Sequence, residues 1–220
     1  MVTLSIGDSV RFKAGVKDYD FGTDIGGWQG RVISFEKEHG TVMIAFDSVT
    51  LRNMPDGYIE TCEEKGLGWP EYGASPDELE VVPPRDTPQD VEDAVAELAA
   101  RYAYSYLGEE GREMNAILAD VDPGDSMAAM RRWSDYLRKT LTFPFNAEVV
   151  ETSFERSPIS YGDRLTVLGI NSVDESYGVL ADVKRGRESF VWPFCDIETI
   201  DKKSPNHDPL QLYAVWFANE

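Results

Sequence analysis

Short runs of alternating apolar and polar residues dominate both ends of this chain, and a period of three to four residues dominates its middle. Alternation of period two marks a half-buried strand, whereas apolar positions three and four apart mark one face of a helix. Near the N-terminus Ser9-Val10-Arg11-Phe12-Lys13 alternates, and Gly30-Arg31-Val32-Ile33-Ser34-Phe35 and Thr41-Val42-Met43-Ile44-Ala45-Phe46 follow as further strands. Glu38-His39-Gly40 joins the last two as a hairpin turn in which glycine supplies positive φ. An acidic loop, Lys17-Asp18-Tyr19-Asp20-Phe21-Gly22-Thr23-Asp24, separates the first two strands, and a long glycine-bearing excursion covers residues 47–73. Ser75-Pro76-Asp77-Glu78-Leu79-Glu80-Val81-Val82 then reads as a single turn entering a closing strand, and Pro83-Pro84 ends the module.

The middle is helical. Thr87 is placed to cap a helix over residues 88–107, with Pro88 at its first position. Val91, Val95, Leu98, Ala99, Tyr102 and Tyr106 supply its apolar stripe. A second helix is expected over residues 110–119 and a third over 126–140, the latter with Met127, Met130, Trp133, Leu137 and Leu141 on one face. A Met and aromatic stripe of this kind is core packing.

The last third repeats the plan of the first. Ala147-Glu148-Val149-Val150-Glu151, Arg164-Leu165-Thr166-Val167-Leu168-Gly169-Ile170, Gly178-Val179-Leu180-Ala181-Asp182-Val183 and Ser189-Phe190-Val191-Trp192 are strands, with Lys184-Arg185-Gly186-Arg187 turning between the last two. Pro193-Phe194-Cys195-Asp196-Ile197-Glu198-Thr199-Ile200 gives a turn and a closing strand, and a short helix ends the chain. Gly7-Asp8-Ser9-Val10 aligns with Gly162-Asp163-Arg164-Leu165, and Pro76-Asp77-Glu78-Leu79-Glu80-Val81 parallels Cys195-Asp196-Ile197-Glu198-Thr199-Ile200. Five short strands with one helical turn before the last is the plan of an SH3-like barrel, which limits the exposed edges of a small β module. The expected fold is mainly β with α: two small SH3-like barrels joined by a helical segment. The expected domains are residues 1–87, a linker of helices over 88–125, and 126–220.

Charge narrows the function. The 220 residues carry 21 Lys and Arg against 40 Asp and Glu, a net charge of −19. The acidity is spread along all three regions rather than gathered in a tail. Such a field repels phosphate backbones and anionic lipid, so neither nucleic acid nor membrane is an expected partner, while cations and basic protein surfaces are drawn to it. No run approaches 18 apolar residues. Cys62 and Cys195 lie far apart without a metal-binding spacing, which fits a reducing compartment. Met1-Val2-Thr3-Leu4-Ser5-Ile6 lacks the basic start and long apolar stretch of a secretory signal, so a cytoplasmic location is expected.

The chemistry-bearing residues point to binding rather than catalysis. The two histidines, His39 and His207, have no local nucleophile pattern around them, and neither a phosphate-binding glycine loop nor a nucleophile elbow occurs. What the sequence offers in quantity is carboxylate oxygen, the ligand of hard cations such as calcium. Asp18-Tyr19-Asp20-Phe21-Gly22 and Asp120-Val121-Asp122-Pro123-Gly124-Asp125 both fail as EF-hands: Gln29 and Arg131 stand where the final bidentate Glu belongs. In the last third, Asp163 starts a strand, Asn171, Asp174 and Glu175 are placed in the loop leaving it, and Asp182 sits on the next strand, making these five the candidate calcium ligands.

Residues 133–220 resemble the small acidic calcium-binding proteins named CcbP. The resemblance runs through Trp133-Ser134-Asp135-Tyr136-Leu137, Leu141-Thr142-Phe143-Pro144-Phe145, Ser157-Pro158-Ile159, Gly162-Asp163, Tyr177-Gly178-Val179-Leu180-Ala181-Asp182-Val183 and Pro193-Phe194-Cys195-Asp196-Ile197-Glu198, and closes with Leu212-Tyr213-Ala214-Val215-Trp216-Phe217-Ala218-Asn219. It implies a compact barrel with helices that binds calcium through surface carboxylates and buffers it, with Asp163 the first position to carry over. The first region is similar, over shorter stretches, to KOW and SH3-like modules through Gly7-Asp8-Ser9-Val10 and Gly27-Trp28-Gln29-Gly30-Arg31-Val32. A rival reading is an SH3-like interaction adaptor without metal function, its protein partner gripped by the first barrel. Exposed aromatics at Tyr19, Phe21, Trp28 and Trp69 would favour it, since Tyr and Trp dominate binding hot spots.

Overall fold

The computed structural model describes residues 4–36, 40–152 and 157–220, so most of the hairpin turn expected at Glu38-His39-Gly40 lies outside the described residues. The chain divides into two compact units, Met1–Arg112 and Glu113–Glu220. The division falls inside the 88–125 segment.

The first unit is built on strands β1 (Ser9–Phe12), β2 (Gln29–Glu36), β3 (Thr41–Phe46), β4 (Glu71–Ala74) and β5 (Leu79–Val81), in the antiparallel order β4-β3-β2-β1-β5. β3 alternates strictly between half-buried and buried positions, as its sequence requires, with Val42, Ile44 and Phe46 inward. At Gly30 a Cβ would lie 2.3 Å from the Ala45 carbonyl oxygen, so only glycine permits β2 and β3 to approach there. The excursion over residues 47–73 contains two helices, α1 (Ser48–Arg52) and α2 (Asp56–Lys65). Asp47 starts α1 by accepting the Thr50 N–H at 2.7 Å, and Gly66 ends α2 in the left-handed region at φ 65°.

Helix α3 (Pro88–Arg101) begins where expected, with Thr87 and Asp90 closing a capping box. Its buried positions are Ala94 and Leu98, followed by Tyr102 at the C-cap, and they join the core of the first unit, with Val91 and Val95 packed at the margin. The helix expected over 88–107 ends at Arg101: Ala99 faces outward, and the exposed Tyr106 lies beyond it in a separate 3-10 turn, Ser105–Leu107. The Tyr102 hydroxyl donates to Asp56 Oδ1 at 2.6 Å, pinning the end of α3 beside the start of α2.

The second unit repeats the sheet. Strands β6 (Phe145–Val149), β7 (Arg164–Asp174), β8 (Gly178–Arg185), β9 (Glu188–Pro193) and β10 (Ile197–Thr199) are ordered β10-β6-β7-β8-β9. In both units the final strand pairs with the first, and a single 3-10 turn, Pro76–Glu78 or Phe194–Asp196, leads into it. α4 (Glu109–Leu118) spans the division between the units; α5 (Ser126–Thr140) and α6 (His207–Asn219) belong to the second. Trp133 and Leu137 of α5 and Tyr213 and Trp216 of α6 are fully buried, with Trp133 and Trp216 ring centroids 5.3 Å apart. Among the described residues the fold is mainly β, with six α-helices and two five-stranded antiparallel sheets. Among the described residues no helix is long and apolar enough to cross a membrane.

Candidate metal centre

The five candidate ligands occupy three separate places along one hairpin. Asp163 immediately precedes β7. Its carboxylate accepts the Ser160 N–H at 2.9 Å and the Arg185 guanidinium at 2.6 Å, while its own N–H reaches the Ser160 carbonyl at 3.0 Å. These donors, the Ser160 amide first and Arg185 second, hold its pKa below the ordinary carboxylate value. Asp8 closes the matching turn in the first unit by accepting the Ser5 N–H at 2.8 Å, with Gly7 at φ 93° matching Gly162 at φ 81°. Ser5-Ile6-Gly7-Asp8 and Ser160-Tyr161-Gly162-Asp163 are therefore the same side-chain-closed turn, built twice. The Gly-Asp pair is a turn device, and Asp163 already has a cationic partner.

Asn171 and Asp182 form the second place. β7 continues through Asp174, so Asn171 is a strand residue rather than part of the loop expected to leave the strand. A register shift between Ile170 and Ser172 swings it outward. Its amide donates to Asp182 Oδ1 at 2.8 Å, and its own Oδ1 accepts the Ser172 hydroxyl at 2.9 Å. A carboxylate, an amide and a hydroxyl thus stand side by side on the exposed face of the sheet.

Asp174 and Glu175 form the third place, at the β7–β8 turn. Asp174 Oδ1 accepts the Ser176 and Tyr177 N–H groups at 2.8 and 3.0 Å, closing the turn that brings the chain back at Gly178. The β7–β8 ladder runs from Thr166 opposite Lys184 to Asp174 opposite Gly178. A strand rises ~3.3 Å per residue, so this ladder holds Asp163 and Asp174 at opposite ends of β7. The sequence reading folded residues 171–175 toward Asp163; the paired strand keeps them apart. Asn171 and Asp182 are the one pair of the five whose side chains touch. Among the described residues no three His, Cys, Asp or Glu side chains gather where one ion could reach them all.

The acidic loop of the first unit is likewise closed on itself. Asp18 is buried, and its carboxylate accepts the N–H groups of Asp20, Phe21 and Thr23 at 3.0, 2.8 and 2.7 Å. Of the histidines, His207 lies with Nδ1 3.0 Å from the Thr199 hydroxyl, and His39 is outside the described residues.

Sequence reasoning did not find a buried polar network beside α1. Arg85 makes a two-pronged contact with Asp47, at 2.6 and 2.9 Å, and Asp86 accepts the Ser48 N–H at 2.6 Å while pairing with Arg31. Burial raises the Asp86 pKa, but the Ser48 and Arg31 donors outweigh it and leave the group below its ordinary value. Nothing in local spacing announces a network whose members lie about the length of a sheet apart in sequence.

Residues 112–217 match the model of the CcbP family, described as calcium binding. The second unit thus resembles the CcbP family. Two solved structures are similar to the chain. The crystal structure of Anabaena CcbP is 28% identical over 44% of this chain and 80% of that one, with a TM-score of 0.37. A calcium-binding protein in its calcium-binding form is 21% identical over 57% of this chain and 91% of that one, with a TM-score of 0.38. No curated protein matches the chain. Several segments that carry the CcbP resemblance meet in the second unit: Tyr213 of the closing segment accepts the Val179 N–H of the Tyr177-Gly178-Val179 segment, and Trp133 packs on both Tyr213 and Trp216.

Proposed function

We propose that this chain is a low-affinity intracellular calcium buffer, with calcium held by exposed oxygen donors of the CcbP-type unit. The observation that carries the reading is the match of residues 112–217 to a calcium-binding family. The donor set fits the ion: carboxylate, amide and hydroxyl oxygens are hard ligands, and calcium accepts six to eight of them in flexible geometry. Asn171 and Asp182, with Ser172 beside them, are the nucleus of the site, and water completes the shell. Asp163, Asp174 and Glu175 already serve as turn closures or lie beyond reach of that pair, so their part is to deepen the negative field. A site with one carboxylate and much water has a dissociation constant of roughly 10⁻⁵ to 10⁻³ M. That range suits buffering, and the net charge of −19 concentrates cations at the surface.

Calorimetric titration of the full chain with calcium, and separately with magnesium, tests the reading. Saturable calcium binding in that range, weakened in Asp182→Asn, is the expected result. Heat indistinguishable from dilution in the wild-type protein would remove the buffer reading altogether.

A further inference from the structure

Of the four aromatics on which a docking role for the first unit depends, Trp69 is buried and Phe21 and Trp28 are half-buried in the core margin. Tyr19 is different: 69% of its surface is open. Its loop is rigidly built, because the buried Asp18 carboxylate takes three of the loop's own N–H groups and the backbones of Lys17 and Asp24 pair across the loop as an antiparallel β-bridge. The ring is held as well. It stacks on Tyr72 with centroids 6.2 Å apart and planes within 6°, and the Tyr19 N–H donates to the Tyr72 hydroxyl at 2.9 Å. At its rim the Tyr19 hydroxyl donates to Glu78 Oε1 at 3.1 Å, and Glu78 is itself fixed by accepting the Ser75 N–H at 2.9 Å. A large amphipathic ring exposed on a scaffold this constrained has already lost the freedom that binding would otherwise cost.

The surroundings select the occupant. Residues 1–87 carry 8 Lys and Arg against 16 Asp and Glu, a net −8. Phe21 of the same loop already takes a cation: the ammonium of Lys65, at the end of α2, lies 4.7 Å from its ring centroid, showing how a cation settles on an aromatic face of this patch. We propose that the loop over residues 17–24 is a docking platform for a lysine- or arginine-bearing segment of a partner protein, the cation stacking on the open face of Tyr19 with Glu78 and Asp20 beside it. This surface is independent of the calcium reading, since it lies in the other unit.

The test uses fluorescence anisotropy of a fluorescein-labelled nonapeptide in which three arginines alternate with Gly and Ser, titrated with the full chain at physiological salt and with EGTA present. Saturable binding is expected, with Tyr19→Phe close to wild type and Tyr19→Ala weaker by about tenfold, the scale of an exposed hot-spot aromatic. Glu92→Gln, which removes a remote acid, should leave binding unchanged. Circular dichroism confirms folding of each variant. Equal binding by Tyr19→Ala and wild type, an equal loss in Glu92→Gln, or no binding by the wild type would each overturn the proposal, the first two by showing attraction to diffuse charge only.

Discussion

The phenol oxygen of Tyr213 accepts the backbone N–H of Val179 at 2.7 Å, and the ring occupies the space that a side chain on Gly178 would need. Gly178 sits at φ 68°, and a Cβ built there would lie 2.2 Å from the Tyr213 oxygen and 2.7 Å from the Phe217 ring. Helix α6 is thus keyed to the start of β8 by one buried hydrogen bond and one missing side chain. Burial pushes the Tyr213 phenol well above its ordinary pKa, so its oxygen stays a neutral acceptor.

Tyr213→Phe should therefore destabilise the second unit by about 1–3 kcal/mol, the cost of a buried N–H left without a partner. Gly178→Ala should cost more, because it adds steric overlap to an unfavourable φ. Urea unfolding followed by tryptophan fluorescence reads both. A Gly178→Ala protein as stable as wild type would mean that α6 does not key into β8 in this way.

A comparison of two carboxylates locates the calcium site. Asp182→Asn should weaken calcium binding by about tenfold, one charge removed from a wet site, while Asp163→Asn, already neutralised by Arg185, should change it little. Equal losses in both would show that the ion answers to overall charge, and a loss in Asp163→Asn alone would move the site to the start of β7.

Much of the fold was legible. The alternation of residues 41–46 and the repeated Gly-Asp and turn-strand signatures led to two five-stranded sheets, and the capping box at Thr87 placed the start of α3. α1 and α2 were not read, because five residues give no period, and the buried positions of α2, Tyr58, Ile59 and Cys62, span barely one turn. The candidate site was legible only in residue type. Whether residues 171–175 form a loop or a strand decides which carboxylates can meet, and that was set by pairing with β8 rather than by local propensity.

Asp196 gives the second unit a measurable pH dependence. Its carboxyl is buried, and burial first, then the charge of Glu151, raises its pKa above the ordinary 3.8, against the opposing effect of the Cys195 thiol, which donates to it at 3.5 Å. Cys195, pushed up to about 12, stays neutral throughout the accessible range. Between the ordinary value and the raised one the folded state binds the proton more tightly than the unfolded state. The contribution of this group to stability therefore falls as pH rises through that window and stays low above it. Asp196→Asn should remove this fall and leave the protein at least as stable as wild type at pH 7. Urea midpoints from pH 4 to 7 decide it, and an unchanged slope in the variant would show that Asp196 is not its source.

The network beside α1 predicts strong coupling between two residues far apart in sequence. Asp47 is buried and performs two tasks at once: it caps α1 through the Thr50 N–H and holds Arg85 in a two-pronged contact. Arg85 also donates to the Thr50 hydroxyl at 2.8 Å, and that hydroxyl accepts the Gln29 N–H at 2.9 Å, so β2, α1 and the segment after β5 share one set of hydrogen bonds. Asp47→Ala removes the cap, worth about 1 kcal/mol, and strips Arg85 of its carboxylate. Arg85 retains access to water, which keeps the second loss below that of a fully buried pair. A total of roughly 2–3 kcal/mol is expected. Arg85→Ala leaves the buried carboxylate with the Thr50 amide as its remaining donor of those named, and should cost a similar amount. Because both variants break the same contact, the double variant should fall short of the sum by at least about 0.5 kcal/mol. Additive losses in a double-mutant cycle would show that the pair contributes nothing as a pair, and that α1 is held by its cap, the Ser48–Asp86 hydrogen bond and its buried face.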